Sequence, residues 1–204
     1  LNTLIKEVSA AYEEYEPTRA GRMIQTFVID NLSNWHVRLS RKRFWGGEMN
    51  TDKLSAYQTL YTCLLEISKL MAPIAPFYAD RLYADLTQGQ ADAAESVHLA
   101  HFPKVDETVI DKDFERRMEL AQKVTSMVLS LRKKEHVIVR QPLQCISVPV
   151  TDPQLRDDLE TVRTLILDEV NVKELRYVDA NMLEKKVKCN FRVMGKKFGK
   201  LMKA

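Results

Sequence analysis

The chain has 204 residues, of which 45% are hydrophobic and 29% charged, with a formal net charge of +3. This composition is typical of an ordinary soluble protein and excludes an intrinsically disordered chain. No apolar run approaches the length of about eighteen residues that a membrane span needs. Three widely separated cysteines, without a C-x-x-C pair, favour reduced thiols over disulfides or a zinc site. Because the chain starts at Leu1 in a helical pattern, we expect a fragment of a longer protein.

The charge is unevenly distributed. Residues 185–204 contain eight Lys or Arg and no acidic residue, so the rest of the chain is net negative. A basic segment on a mildly acidic body is typical of proteins that bind polyanions, with nucleic acid the first candidate and an anionic membrane the second. A merely solvated terminus is the alternative interpretation.

The first part of the chain has the apolar periodicity of helices. We predict five, starting near residue 1, at Pro17, after the capping residues around Asn50, near Phe77, and at Asp111. The second carries an apolar stripe of Ile24, Val28, Leu32, Trp35 and Leu39, and ends before Gly46. The fifth carries a stripe of Phe114, Met118, Ala121, Val124, Val128 and Leu131. Five amphipathic helices in succession predict an antiparallel bundle over residues 1–140.

The periodicity changes after Pro142. Residues 143–150 alternate like a strand, Asp152-Pro153 is an N-cap signal for a helix, and residues 171–178 indicate a second strand. Residues 187–193 alternate apolar and mostly basic side chains and predict a third. The expected fold is therefore mainly α, with a small α+β unit over residues 141–204.

Catalytic motifs are missing from the sequence. It has no P-loop, no dinucleotide-binding glycine turn, no H-E-x-x-H and no G-x-S-x-G. His98 and His101 have a useful spacing, but two imidazoles in a loop are too few for a metal site. We therefore expect no catalytic, cofactor or metal site in this chain.

The most informative local feature is a basic and aromatic segment at residues 35–45. Arg38, Arg41 and Lys42 have the i, i+3, i+4 spacing of one helix side, and Trp45 follows where the helix should end. Cations that contact phosphates and rings that stack on unpaired bases are what single-stranded RNA binding requires. A basic helix face closed by core aromatics is the alternative.

Two further basic clusters support this interpretation. One ends the fifth helix with Arg132 and Lys133 and continues to Arg140, and the other contains Lys196 and Lys197 between two glycines. Cations in a last helical turn are also favoured by the helix dipole, so a capping role is the alternative for the first cluster. Three basic clusters without a catalytic motif favour an RNA-binding module.

Several sequence blocks resemble one known family. Residues 30–38 read D-N-L-S-N-W-H-V-R and continue to R-K-R-F-W at 41–45, which resembles the signature helix of the anticodon-binding bundle of class I isoleucyl-tRNA synthetases. Further matching blocks follow in the family's order, at residues 69–77, 96–99, 139–143, 167–175 and 190–200. His36 departs from the pattern, since the family more often has Tyr there.

The resemblance implies a function and a set of contacts. It implies the tRNA anticodon-arm binding module of a cytoplasmic enzyme that attaches isoleucine to tRNA with ATP and Mg, sometimes also with Zn. The adenylation signatures H-I-G-H and K-M-S-K-S are not in this sequence, so we expect the chain itself to be inactive. The tRNA-binding candidates carried over are Trp35, Arg38, Arg41, Arg43 and Trp45, then Arg132, Lys133, Arg140, Lys196 and Lys197.

Two functions compete at this point. In the first, the chain grips the anticodon arm of the isoleucine tRNA. In the second, the bundle mainly scaffolds the enzyme's own catalytic domain, which predicts a sizeable exposed apolar patch. We regard an independent enzyme as a remote third, because no nucleophile–base or metal constellation occurs.

Overall fold

The computed structural model describes residues 1–150 and 152–179. Within these residues the chain forms eight α-helices, a π-helical segment, one 3-10 turn and two strands. The elements are α1 (Asn2–Glu13), α2 (Pro17–Thr26), the π segment (Phe27–Val37), α3 (Arg41–Trp45), α4 (Thr51–Met71), α5 (Pro76–Thr87), the 3-10 turn (Glu107–Val109), α6 (Lys112–Lys134), β1 (Leu143–Val150), α7 (Pro153–Thr161), α8 (Arg163–Val170) and β2 (Val172–Asp179). A mainly helical bundle with a small α+β part is therefore confirmed.

By their internal contacts the described residues form two compact units, one from Leu1 to Glu115 and one that begins at Arg116. The switch predicted near residue 140 marks the change from helix to strand, which is observed between α6 and β1. A domain boundary at that position stays a prediction.

In the first unit, α1 packs on α2, α2 on α4, and α4 on α5. The core is apolar and draws on α1, α2, the π segment and α4, with Leu4, Ile5, Val8, Ala11, Ala20, Ile24, Leu32, Cys63, Ile67 and Leu70. Pro17 occupies the first turn of α2, where its missing N–H costs no hydrogen bond. Asn50 caps α4 by accepting from the Lys53 amide at 2.8 Å. Both boundaries were predicted from the sequence.

The predicted second helix is not uniform. After α2 it continues as the π segment, and Ser40 then interrupts it before α3 begins. Along this path Leu32 is buried, but Trp35 and Leu39 are only half-buried. A wider turn changes which positions face the core, so the regular stripe expected through Leu39 is not maintained.

In the second unit, α6 contributes one buried face. The predicted stripe is buried at Ala121, Val124 and Val128, but Phe114 and Leu131 are exposed, and Arg132 is buried in place of Leu131. The spacing from Val128 to Arg132 is i+4, which keeps Arg132 on the same face. The buried stripe therefore ends on a cation.

The sheet of the described residues is the parallel pair β1 and β2, in register from Leu143 opposite Val172 to Val150 opposite Asp179. Parallel neighbours require a crossover, which α7 and α8 provide. The sequence predicted one helix here. The chain instead bends at Val162, whose φ of −106° and ψ of 9° end α7 and begin α8. Val162 is buried, and its β-branched side chain disfavours helix continuation.

The predicted third strand at 187–193 lies outside the described residues. Within those described, no helix is both long and apolar enough to cross a membrane.

Candidate nucleic-acid interface

The second half of the basic and aromatic segment, Arg41–Trp45, folds as a separate short helix, α3. The Ser40 amide donates to the His36 carbonyl at 3.0 Å, and the Ser40 carbonyl then accepts from the amides of Arg43 and Phe44. Ser40 has φ −85° and ψ 3°, which ends the preceding helix and starts a new one at Arg41. The five residues of α3 therefore have their own orientation.

One side chain of α3 forms an ion pair with the first turn of α4. Arg43 donates from Nε and from Nη2 to the two carboxylate oxygens of Asp52, each at 2.8 Å. Nη2 also donates to the backbone carbonyl of Asp52 at 3.0 Å. Two parallel bonds to a carboxylate are among the stronger and more directional hydrogen bonds in proteins. Arg43 thus joins α3 to α4.

A second side chain of α3 is inserted against α4. Phe44 is buried, and its ring lies 5.1 Å from that of Tyr57 at an interplanar angle of 54°. The Tyr57 hydroxyl donates to the Phe44 carbonyl at 3.3 Å. Phe44 is therefore a core contact and is not available for stacking on a base.

A third side chain of α4, Lys53, contacts the turn that follows α3. Lys53 Nζ donates to the carbonyls of Gly46 and Gly47, at 3.3 and 3.4 Å. A Cβ on Gly46 would lie 2.6 Å from the Lys42 carbonyl oxygen, so a larger residue does not fit without a backbone shift. Gly47 has φ +59°, a conformation that favours glycine.

These contacts leave the opposite side of α3 to solvent. Trp45 is 76% exposed, and Arg41 and Lys42 are exposed as well. Arg41 and Trp45 are spaced i, i+4, so they lie on the same side of the helix. Within the part of the chain that the structure describes, neither Arg41 nor Lys42 has an ion pair. We call Arg41, Lys42 and Trp45 the α3 surface.

The residues just before α3 have mixed roles. Arg38 is exposed and Trp35 half-buried. His36 Nε2 is buried without a hydrogen-bond partner among the described residues. Burial lowers the pKa of His36, and the Arg43 cation lowers it further. The lowered pKa favours the neutral form of the His36 ring.

The cluster at the end of α6 separates into two kinds of residue. Lys133 and Arg140 are exposed, but Arg132 is only 3% exposed. Arg132 donates to the carbonyls of Ile138, Gln141 and Asn171 at 3.0–3.1 Å. Its guanidinium thus holds backbone inside the second unit, and we do not retain it as an RNA contact. Lys196 and Lys197 lie outside the described residues.

The sequence did not indicate the residues that hold α3 in place. In the sequence, Asp52 belongs to the predicted helix cap, and Lys53 and Tyr57 fall within the predicted third helix. Their contacts with α3 join positions seven to thirteen residues apart, across a turn, with no periodic pattern. The two glycines after Trp45 were the available signal for a tight turn.

Comparison with known proteins agrees with this geometry. Residues 1–147 match the family described as the anticodon-binding domain of tRNA ligase. Over its whole length the chain is 63% identical to the isoleucine–tRNA ligase of Bacteroides thetaiotaomicron, 57% to that of Porphyromonas gingivalis and 38% to that of Protochlamydia amoebophila. It spans 18%, 18% and 20% of the length of these relatives. The chain belongs to the family of tRNA ligase anticodon-binding domains.

Proposed function

We propose that the chain binds the anticodon arm of an isoleucine tRNA through the α3 surface, as the anticodon-binding part of a cytoplasmic isoleucine–tRNA ligase. The observation that carries the proposal is the exposed Trp45 ring, on the same side of α3 as the exposed Arg41. A flat ring stacks on an unpaired base, and the neighbouring cations neutralise the phosphates on either side of that base. The similarity to isoleucine–tRNA ligases supports the amino-acid specificity.

The test is a titration of the chain with transcripts of an isoleucine tRNA and a valine tRNA at two salt concentrations. We expect tighter binding of the isoleucine tRNA and weaker binding at higher salt, since binding releases counterions from the phosphates. Equal, weak and salt-insensitive binding of both transcripts would contradict the proposal.

Variants assign the binding to the α3 surface. Trp45→Ala should weaken binding about 5- to 150-fold, the equivalent of roughly 1–3 kcal/mol for one stacked base. Arg41→Ala should weaken binding and reduce the salt slope by about 0.7 for one lost phosphate contact. Phe77→Ala is the matched control, because Phe77 is an aromatic residue on α5 that is 91% exposed. An equal loss of tRNA affinity in Trp45→Ala and Phe77→Ala would show that the α3 surface is not the binding site.

Exposed cations outside α3 complete this proposal. We include Arg38, Lys133 and Arg140 as second-rank contacts, together with Lys196 and Lys197 from the sequence. We also include half-buried Trp35, which precedes α3, as a proposed contact. The ATP-dependent attachment of isoleucine, with its Mg and any Zn, is proposed for the remaining part of such a ligase.

A separate observation favours the scaffold function as a second role. An apolar groove of about 410 Å³ lies between α2, the π segment, α4 and α5, and its lining includes Ile24, Val28, Ile29, Ile74 and Tyr78. Three of these side chains are more than 40% exposed. Because the chain is about a fifth of its relatives' length, we propose that another part of the ligase packs on this groove.

Stability measurements test the second role. Ile74→Ser should lower the melting temperature of a full-length ligase more than that of the chain alone, because the substitution removes an intramolecular contact. Leu99→Ser is the control, as Leu99 is 71% exposed and is not part of the groove lining. Equal shifts of Ile74→Ser in the two proteins would contradict this role.

A further inference from the structure

We propose that Arg43 and Asp52 form a positioning pair, which holds α3 so that Trp45, Arg41 and Lys42 face solvent in one fixed arrangement. Arg43 then acts through Asp52 and does not contact RNA directly. The proposal rests on the proposed RNA-binding function and specifies how its surface is organised.

The donors of Arg43 are largely consumed within the protein. A guanidinium has five N–H groups in a fixed fork, and Arg43 uses three of them on Asp52. The bonded atoms are Nε and Nη2, so one of the two guanidinium edges that can make a bidentate contact already faces a carboxylate. A phosphate approaching this edge would have to displace Asp52 and would meet its negative charge.

Asp52 lies in the first turn of α4, two residues after the capping residue Asn50. The helix dipole favours a carboxylate at a helix N-terminus, so this position suits an acidic acceptor. The pair therefore connects α3 to the N-terminus of a 21-residue helix.

Pre-organisation is needed because α3 has only five residues. A helix of that length is unstable without tertiary contacts. If α3 were loosely held, binding RNA would require ordering of the backbone and of three long side chains, which weakens affinity. The Phe44–Tyr57 and Lys53–Gly46 contacts restrain α3 as well. Of these three contacts, only Arg43–Asp52 is an ion pair, so its two charges can be exchanged between positions 43 and 52.

The sign of one substitution separates positioning from direct contact. Asp52→Asn removes a negative charge near the α3 surface, so electrostatics alone predicts tighter RNA binding. Positioning predicts weaker binding, by about 3- to 10-fold. Asp85→Asn is the matched control, because Asp85 is an exposed acid paired with Arg81 on α5. It should change affinity less than two-fold.

Charge exchange gives an independent test. Arg43→Asp alone should weaken binding at least ten-fold, and Arg43→Asp combined with Asp52→Arg should recover affinity to within about three-fold of the unchanged chain. Recovery would show that RNA affinity depends on the ion pair and not on a cation at position 43. If the exchanged pair stays as weak as Arg43→Asp, or if Asp52→Asn tightens binding, the proposal is overturned.

The mobility of the Trp45 side chain can be measured in the absence of RNA. The chain has two tryptophans, so Trp35→Phe leaves Trp45 as the sole tryptophan, which is excited selectively over the seven tyrosines. In that background Asp52→Asn should lower the fluorescence anisotropy of Trp45 and increase its quenching by acrylamide, with an unchanged far-UV circular dichroism spectrum. Unchanged anisotropy would overturn the proposal. Absence of RNA binding by the unaltered chain would instead contradict the proposed function, and the anisotropy result would be unaffected.

Discussion

The Nη2 group of Arg132, at the end of α6, donates to the Asn171 carbonyl at 3.0 Å, immediately before β2 begins. The Asn171 side chain donates in turn to the carbonyls of Val139 and Arg140, at 2.9 and 3.2 Å. The same Asn171 carbonyl accepts from the Leu143 amide at 3.2 Å. Arg132 and Asn171 thus fix the connection between α6 and β1 to the start of β2.

Removal of the Arg132 guanidinium should destabilise the second unit. Arg132→Met keeps most of the buried stem but removes the charged donor of three carbonyls, of which Ile138 and Asn171 keep a backbone amide donor. The expected loss is about 2–4 kcal/mol, because buried polar groups lose charged hydrogen bonds. Hydrogen exchange of the β1 and β2 amides measures it. Lys133→Met, one residue away and exposed, should stay within about 0.5 kcal/mol, and an equal effect of the two would contradict the role of Arg132.

Asn171 ends α8 in the left-handed conformation, with φ 53° and ψ 58°. Asn171→Ala and Asn171→Gly both lose the side-chain bonds to Val139 and Arg140. Glycine adopts this conformation without steric cost, so Asn171→Gly should be the more stable of the two by about 1 kcal/mol. Urea denaturation of both variants measures the difference. The reverse order would show that backbone strain does not govern this position.

The lowered pKa of the Asp158 carboxyl leads us to expect a loss of folding stability in acid. Burial raises its pKa, but hydrogen bonds from Arg117, Arg116 and Gln154 outweigh burial and hold the pKa below its ordinary value. Stability from this group is therefore fully present above the unfolded-state pKa and is lost as pH falls through the lower folded-state pKa. We expect Asp158→Asn to be less stable than the unchanged chain at pH 7, with a difference that narrows below about pH 4. Denaturation of both proteins between pH 7 and pH 2 measures this, and a constant difference would contradict the assignment.

Gly46 gives a steric test of the turn that follows Trp45. In Gly46→Ala the new Cβ would meet the Lys42 carbonyl oxygen at 2.6 Å, so the end of α3 must shift. We expect RNA binding to weaken several-fold, since the shift moves Trp45. Gly89→Ala is the control: its backbone has φ +83° and is strained by alanine, but nothing lies within 4 Å of the new Cβ. Binding by Gly89→Ala should be unchanged, and equal weakening of both variants would attribute the effect to general destabilisation.

Local signals predicted most of the secondary structure. Pro17, Asn50 and Asp152 marked helix starts that the structure confirms, and the alternation at 143–150 predicted β1. These succeed because capping and pleating depend on residues within a few positions of each other. The same reasoning gave one helix where α7 and α8 are separate, because the bend at Val162 depends on its burial in the second unit.

The sequence by itself determined a helical chain with a small α+β part, a basic and aromatic segment at 35–45, and a resemblance to tRNA ligases. It could not distinguish the cations, because Arg41, Arg43 and Arg132 have the same chemistry. The tertiary structure distinguishes these three residues. Arg41 is exposed, Arg43 is paired with Asp52, and Arg132 is buried and donates hydrogen bonds to three backbone carbonyls. The fold likewise buries Phe44 and exposes Trp45. The physical reason is that burial and pairing depend on partners that reach these residues only when the chain is folded.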